Sequence, residues 1–325
     1  MIPSCFTNPD SLTLNAQMPQ HLITCVYKTQ LSDSPTFITL TWFKTLFSHS
    51  LTIHANDSFS VTLSLLPSVF PFFRNRHGSK SISLSRHRHH YHRVKLYWDF
   101  TRAQYNRNSA EPDSGFYVAI ACNAHIEFIL GDLRDDALRR TGAVQMCPSA
   151  EPALLQSRRE HVFGRRSFTT TAQFSGSKHE IVIECAGGVL RVKADGQIAL
   201  VVKRLAWNFR GNERILVGMS EVEFYWDVFN WVTRSRRDGS GHGVFVFQVG
   251  DGGVWPEMAG PEKKLMRKSM SSSSSMLSLS PSPSCSSVLQ WTEESSDGSR
   301  SSCSSSTRSS GSGGFSLLLY AWRSD

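Results

Sequence analysis

The chain has 325 residues, of which 40% are hydrophobic and 19% are charged, which is enough apolar content for one large domain or two small ones. No apolar stretch approaches the roughly 18–20 residues of a membrane-spanning helix, and residues 1–20 lack a basic region followed by an apolar run. The sequence therefore argues against a membrane-spanning or secreted protein and predicts an intracellular one, in the cytoplasm or the nucleus.

The net charge of +8 is concentrated in one segment. Residues 74–98 contain seven cations and no acid, which leaves +1 for the rest of the chain. These cations are Arg74, Arg76, Lys80, Arg86, Arg88, Arg93 and Lys95. The body is therefore predicted to be nearly neutral and to carry one basic loop.

The cysteines argue against a disulfide framework or a structural zinc site. Their number is seven, which is odd, their spacing is wide, and no CxxC pair occurs. Cys25, Cys122 and Cys185 lie in apolar alternating runs and are predicted to be small core residues. No cofactor is predicted.

The first half of the body has the alternation of short antiparallel strands. In chain order, strands are predicted over 22–28, 36–43, 50–55, 59–66, 79–84, 93–99, 116–122 and 125–130. Residues 132–141 are predicted to form the only helix. Asp132 caps its start, Leu133 and Ala137 stack at i, i+4, and Gly142 ends it.

The second half continues the same pattern. Its predicted strands are 160–164, 167–174, 179–185, 189–194, 197–203, 206–210, 213–217, 221–227 and 243–249. Asp195-Gly196 predicts a tight hairpin turn with positive φ, after which Ile198, Leu200 and Val202 are expected to face the core. Period-2 alternation with turns every 8–12 residues predicts an all-β protein: an antiparallel two-sheet β-sandwich, jelly-roll-like, with one short helix.

The end of the chain combines a serine-rich tract with a short apolar run. Residues 269–313 hold 23 serines in 45 positions, so 257–313 is predicted to be a disordered loop. Phe315–Trp322 is densely apolar and is predicted to return to the sheet as a last strand. The predicted organisation is a disordered N-terminus (1–19), a sandwich body (20–256, with similar halves at about 20–131 and 160–256), the serine-rich loop (257–313) and the terminal strand (314–325).

Two stretches nearly repeat each other. Residues 94–100 are echoed by 222–228, and Gly115-Phe116-Tyr117-Val118 aligns with Gly243-Val244-Phe245-Val246 at the same offset of 128 residues. Weaker echoes join 51–57 to 190–196 and 73–75 to 209–212. The echoes favour an internal duplication. The alternative is the general likeness of sandwich strands.

Several motifs, in their order and spacing, resemble a plant family known only as domain of unknown function 868. They include Thr24-Cys25-Val26-Tyr27-Lys28-Thr29, Tyr97-Trp98-Asp99, Gly131-Asp132-Leu133, Trp207-Asn208-Phe209-Arg210-Gly211-Asn212, Trp226-Asp227-Val228 and Leu319-Tyr320-Ala321-Trp322. The resemblance covers about residues 20–250 and about the last ten residues of the chain. It implies a β-rich plant protein without a known activity. The insertion 86–93 departs from the family, which usually has a short polar turn there.

Two surfaces of the second half are candidate sites. Glu221, Glu223 and Tyr225 are predicted to share one strand face, with Asp227 in range, as in the acid row of a jelly-roll glucanase. Solvated acids at i, i+2 are the simpler interpretation. No GxSxG, HExxH or Walker motif supports an enzyme.

The segment 207–212 is the other candidate. Trp207, Phe209, Arg210 and Asn212 are typical of a sugar or peptide platform, with Arg210 stacked on Trp207 or Phe209 and Gly211-Asn212 in a tight turn. The alternative is an ordinary hairpin in which the aromatic rings fill the core and Arg210 pairs with Asp227.

The basic insertion offers two further possibilities. Its imidazoles suit Zn²⁺ or Cu²⁺, and its alternating cations suit phosphates or a nucleic acid; a solvated loop is the alternative. Its residues are Arg86, His87, Arg88, His89, His90, His92 and Arg93. Ser280-Pro281 and Ser282-Pro283 are candidate phosphorylation sites that would draw the serine tract towards residues 74–98.

From the sequence we expect a non-catalytic binding or scaffold protein whose partner is a protein or an acidic polymer. The first alternative is a carbohydrate-binding or carbohydrate-active sandwich that uses Glu221, Glu223 and Tyr225. The second is nucleic-acid binding through residues 74–98.

Overall fold

The structure is a computed structural model in which part of the chain is described. The described residues are 21–31, 34–55, 58–65, 76–85, 91–106, 109–123, 125–142, 153–233, 242–250 and 314–323. The predicted disordered segments 1–19 and 257–313 lie outside them. The described part is mostly β-strand with two short helices. Neither helix is long and apolar enough to cross a membrane.

The chain divides into two compact units, with the boundary between Ala153 and Leu154. Among the described residues, only 25–27 depart from this division, because they group with the second unit. The three described cysteines, Cys25, Cys122 and Cys185, are buried and free, as predicted for core residues.

The described part of the first unit contains ten strands and one helix. They are β1 (His21–Leu31), β2 (Ser34–Lys44), β3 (His49–Ala55), β4 (Phe59–Ser64), β5 (His77–Ser85), β6 (Tyr91–Asp99), β7 (Gln104–Tyr105), β8 (Pro112–Ser114), β9 (Tyr117–Cys122), β10 (His125–Gly131) and α1 (Arg134–Thr141). The strands β1-β2-β3-β4 are neighbours in that order, and a second sheet has the order β10-β9-β6-β5. The short strands β7 and β8, which the sequence analysis did not predict, pair only with each other among the described residues.

The described part of the second unit contains nine strands and one helix. They are β11 (Leu154–Gly164), β12 (Ser167–Phe174), β13 (Ser177–Ala186), β14 (Val189–Ala194), β15 (Gln197–Val202), β16 (Arg210–Val217), β17 (Ser220–Asp227), α2 (Phe229–Thr233), β18 (His242–Val249) and β19 (Phe315–Arg323). One sheet has the order β12-β13-β14-β15, and the strands β16-β17-β18-β19-β11 are neighbours in the other.

Alternation of apolar and polar residues places the core of the second unit. Phe168 and Ile183 from the β12–β15 sheet join Phe224, Phe245 and Leu319 from the other sheet in one buried cluster. The helix α2 adds to this cluster through Trp231, whose ring centroid lies 5.3 Å from that of Phe168. The polar residues between these positions face away from the cluster, as period-2 strands require.

The first unit has aromatic contacts of the same kind. The ring centroids of Trp42 on β2 and Phe100 after β6 are 6.0 Å apart, and Phe116 stacks on Phe100 at 5.6 Å. The helix α1 packs by Ala137 against a buried cluster that includes Tyr117.

Several sequence predictions need correction. The helix begins after Leu133, whose side chain makes no capping bond, whereas the Asp132 carboxylate accepts hydrogen bonds from the backbone N–H groups of Gly115 and Phe116 at 3.0 and 3.1 Å. The predicted end is confirmed, because Gly142 has φ +66°. The prediction of a single helix was wrong: α2 is the second, and its five residues are too few to show a helical period.

The prediction of purely antiparallel pairing was also wrong. The last strand β19 pairs antiparallel with β18 and parallel with β11. The predicted strand 206–210 is also wrong, because residues 206–209 lie in a turn and a bend. The strand β16 begins at Arg210 and includes the whole predicted strand 213–217.

Ile198 does not face the core as predicted. Asp195 and Gly196 have φ of +49° and +79°, which confirms the predicted turn. However, a β-bulge between Val192 and Lys193 shifts the register with β15. The shift pairs Ile198 with Lys193 and leaves Ile198 59% exposed.

The two units place their echoed residues in equivalent positions. In each unit a Trp on the echoed strand lies opposite a glycine of the preceding strand, Trp98 opposite Gly78 and Trp226 opposite Gly211. Two backbone hydrogen bonds recur as well. The bond from Phe100 N–H to the Arg76 carbonyl matches the bond from Val228 N–H to the Phe209 carbonyl. The bond from Leu65 N–H to the His49 carbonyl matches the bond from Leu205 N–H to the Gly188 carbonyl.

The registers refine two of the echoes. Asp99 pairs with Tyr117, and its counterpart Asp227 pairs with Val244. Tyr117 therefore corresponds to Val244, so the strands β9 and β18 are related by an offset of one residue less than 128. The Phe209 carbonyl accepts from Val228, and the equivalent bond in the first unit goes from Phe100 to the Arg76 carbonyl. Phe209 therefore corresponds to Arg76 and not to the echoed segment 73–75, which lies outside the described residues.

Candidate functional site

The turn between β15 and β16 is held by its own hydrogen bonds. The Arg204 carbonyl accepts from the N–H groups of Trp207 and Asn208 at 2.9 and 3.1 Å, and the Asn208 side chain donates to the Lys203 carbonyl at 2.9 Å. Arg204 itself has φ +55°, a left-handed conformation that is uncommon outside glycine. The turn presents the Trp207 side chain to solvent, 84% exposed.

Arg210 and Asp227 form an ion pair at the start of β16. The Arg210 Nε donates to Asp227 Oδ2 at 2.9 Å, and Asp227 is only 5% exposed. The guanidinium lies 5.8 Å from the Phe209 ring centroid and 5.4 Å from that of Phe229. The predicted stacking on Phe209 is thus confirmed, and so is the pairing of Arg210 with Asp227 that the simpler interpretation required.

The turn predicted at Gly211-Asn212 was wrong, because both residues lie inside β16. Gly211 is needed for a different reason: the Trp226 ring occupies the space that a Cβ at this position would fill. The Trp226 indole N–H then donates to the Asn208 carbonyl at 3.0 Å. Asn212 is exposed and lies opposite Tyr225 on the next strand.

A groove of about 470 Å³ runs between the ends of β15 and β16. One wall is residues 200–204, and the other consists of Asn208, Arg210, Glu213 and Trp226. The groove therefore combines apolar surface with cations, and the chain that joins its two walls carries the exposed indole of Trp207.

The acidic row on β17 is an internal network. The Tyr225 hydroxyl donates to Glu223 Oε2 at 2.8 Å, and Arg214 lies 3.8 Å from Glu221 and 3.6 Å from Glu223. Burial, followed by the hydrogen bond and the charge of Glu223, raises the pKa of Tyr225 to about 12. Glu221, Glu223 and Tyr225 share a face as predicted, but Asp227 is buried and paired with Arg210.

The basic segment is described only in part. Arg86, His87, Arg88, His89 and His90 lie outside the described residues, as do the side chains of His92 and Arg93 on β6. Ser280 and Ser282 also lie outside them, so their phosphorylation stays a prediction. In the described part, the Lys95 ammonium lies 4.9 Å from the Tyr97 ring centroid.

One family model matches residues 18–323, and its description is "plant protein of unknown function (DUF868)". The chain belongs to this family. No curated protein matches it, and no solved structure does. The resemblance predicted from the motifs is confirmed over nearly the whole chain, and the family description assigns no activity to any of the residues above.

Sequence analysis missed functional candidates of this DUF868 protein in two places. Lys203 and Arg204 line the groove, and two consecutive cations after an apolar strand were the available signal. The second place is His161, which no catalytic motif in the sequence marked. The structure places its ring 5.1 Å from that of Tyr320, in a fully buried position where desolvation, followed by the His242 charge, lowers its pKa to about 4.

Proposed function

We propose that this DUF868 protein is a non-catalytic, intracellular binding protein whose partner is another protein, held in the groove between β15 and β16. The observation that carries this proposal is the exposed indole of Trp207 beside the exposed cations Lys203 and Arg204. Trp and Arg are enriched where protein interfaces concentrate their binding energy. An exposed indole on a turn braced by its own hydrogen bonds is preorganised for such a contact.

The state of the acidic side chains supports a non-catalytic role. A glycosidase needs two carboxylates on either side of a bond, roughly 5–10 Å apart. Here Glu223 is occupied by the Tyr225 hydroxyl and by Arg214, and Glu221 lies within reach of the same guanidinium. Asp227 is used by Arg210. The row Glu221, Glu223 and Asp227 therefore offers the carbohydrate alternative no pair of unengaged carboxylates.

We also propose that each unit is a two-sheet β-sandwich and that the chain arose by tandem duplication. In both units four consecutive strands are neighbours in a sheet, β1–β4 and β12–β15, and the next long strands follow one another as β5-β6-β9-β10 and β16-β17-β18-β19. This order favours hairpin connections over those of a jelly roll. The shared positions of Trp98 and Trp226 support the duplication.

The test of the binding function is an array of acidic, basic and neutral 12-residue peptides, run beside a glycan array. We expect peptides to bind the wild-type protein, and Trp207→Ala to weaken the best of them by at least about tenfold, which corresponds to about 1.4 kcal/mol.

The matched control is Met219→Ala, which removes a completely exposed apolar side chain just beyond the opposite end of β16. It should change the affinity by less than about twofold. Equal losses in both variants, or binding to glycans alone, would contradict the proposed function.

A further inference from the structure

The strand β15 is an edge strand made entirely of uncharged residues. It pairs only with β14 among the described residues, and its sequence QIALVV contains no charge, proline or glycine. The other edge strands of these sheets are more polar: β16 carries Arg210, Glu213 and Arg214, and β12 exposes serine, threonine and glutamine. The unpaired backbone groups of an edge strand are a template for the addition of another strand.

The β-bulge gives β15 an apolar outer surface. Because the register shifts between Val192 and Lys193, Ile198 and Val201 lie opposite Lys193 and Arg191, the outward residues of β14. Ile198 is 59% exposed and Val201 is 40% exposed. Bulges of this kind commonly re-aim side chains at functional sites, and here two aliphatic side chains reach the same solvent face.

Three unpaired cations lie near this edge. Arg191, Lys203 and Arg204 form no ion pair with any described residue, while Lys193 pairs with Glu184 at 2.6 Å. The residues Leu200 to Arg204 also line the groove. The exposed backbone edge and the aliphatic pair of β15 therefore lie close to the cations of β14 and of the residues that follow β15.

We infer that β15 is completed by an extended acidic segment of a partner protein, which pairs with it as a fifth strand of the β12–β15 sheet. This inference rests on the proposed binding function and names the mode and chemistry of the partner. The unpaired N–H and C=O groups of β15 provide the backbone bonds, Ile198 and Val201 pack against alternate aliphatic side chains, and the cations attract the carboxylates.

A second copy of the same chain fits this edge less well. Its own β15 carries no acidic residue to meet Lys203 and Arg204. The acidic segment supplies that counter-charge, and self-association becomes one of the outcomes of the test.

The experiment measures the affinity of the full chain for three blocked eight-residue peptides by fluorescence anisotropy. The first alternates valine with glutamate, the second alternates valine with lysine, and the third is the valine–glutamate peptide N-methylated at every residue, which leaves it no backbone N–H to donate. We expect the first to bind at least about tenfold more tightly than either of the others, because the second has the wrong charge and the third cannot form a ladder.

Two variants locate the binding. Ile198→Glu should weaken the valine–glutamate peptide by at least about tenfold. Leu216→Glu makes the same change at a 64% exposed position of β16 and should alter binding by less than about twofold.

Three results would overturn the inference. If the N-methylated peptide binds as tightly as the unmodified valine–glutamate peptide and Trp207→Ala weakens both, the groove binds peptides without strand addition. No binding of any peptide at 1 mM, roughly the weakest affinity of interest, would reject both the inference and the binding function. A concentration-dependent dimer that Ile198→Glu abolishes would assign the edge to a second copy.

Discussion

His161 shows at the residue scale how burial changes the chemistry of a side chain. Its imidazole is packed among the rings of Tyr320, Trp322 and His242, and its Nε2 makes no hydrogen bond within the described residues. Arg159, two residues earlier on β11, is also buried. A neutral ring is the stable form in such surroundings, because ionisation in a low dielectric is costly and the nearby groups add no negative charge.

Protonation of His161 should make stability depend on pH. Its pKa is about 4 in the folded chain against 6.5 when unfolded, so the unfolded chain takes up the proton first as the pH falls. The free energy of unfolding should therefore decrease by about 3 kcal/mol between pH 6.5 and 4 and then level off, at roughly 1.4 kcal/mol for each pKa unit.

Urea unfolding at several pH values measures this decrease. His161→Phe should remove most of it, whereas the same change at the exposed His125 should leave it intact. A pH profile shared by wild type and His161→Phe would show that another group is responsible.

At the scale of a single element, strand β19 shows that a short apolar run can complete the core of a unit. The sequence predicted a returning strand because Phe315–Trp322 has too many apolar side chains to stay in water. The structure inserts it between β18 and β11, with Leu317 and Leu319 in the core of the second unit. Its pairing with β11 is in the parallel direction, which the composition of the strand does not reveal.

The position of β19 predicts a large cost for a small change. Leu319→Ala should lower the free energy of unfolding by about 2–5 kcal/mol, because Leu319 is 1% exposed and its removal leaves a cavity. Ile198→Ala, at an exposed position, should cost less than about 0.5 kcal/mol. Urea unfolding compares the two variants, and similar costs would mean that β19 is not part of the core.

The whole molecule is organised by the recurrence of one arrangement in both units. A tryptophan ring covers a glycine of the neighbouring strand twice, Trp98 over Gly78 and Trp226 over Gly211. A methyl group at either glycine would enter the ring. This shared constraint explains why the Tyr-Trp-Asp echo is the strongest in the sequence, since the ring and the glycine must be kept together.

The recurrence predicts matching double-mutant cycles in the two units. Gly78→Ala and Gly211→Ala should each cost about 1–3 kcal/mol through overpacking. In the Trp98→Leu and Trp226→Leu backgrounds the added methyl should cost much less, which gives a coupling energy of at least about 1 kcal/mol in each cycle. Denaturant unfolding measures both cycles, and coupling in one unit alone would speak against equivalent architecture.

The sequence was sufficient for features that depend on residues close together in the chain. Alternation predicted most strands, Asp195-Gly196 predicted its hairpin, and Gly142 predicted the end of α1. The pairing of Arg210 with Asp227, which the sequence left open as the alternative for the segment 207–212, is also found.

Tertiary structure alone decided the features that depend on register between separated strands. The bulge in the pairing of β14 with β15 exposes Ile198. The carboxylate of Asp132 accepts a hydrogen bond from Gly115 instead of capping its own helix. The groove exists only because the end of β15 lies beside the start of β16. A shift of one residue in register moves a side chain to the other face of a sheet. Local alternation therefore determined which segments are strands, and long-range pairing determined which of their residues are left to meet a partner.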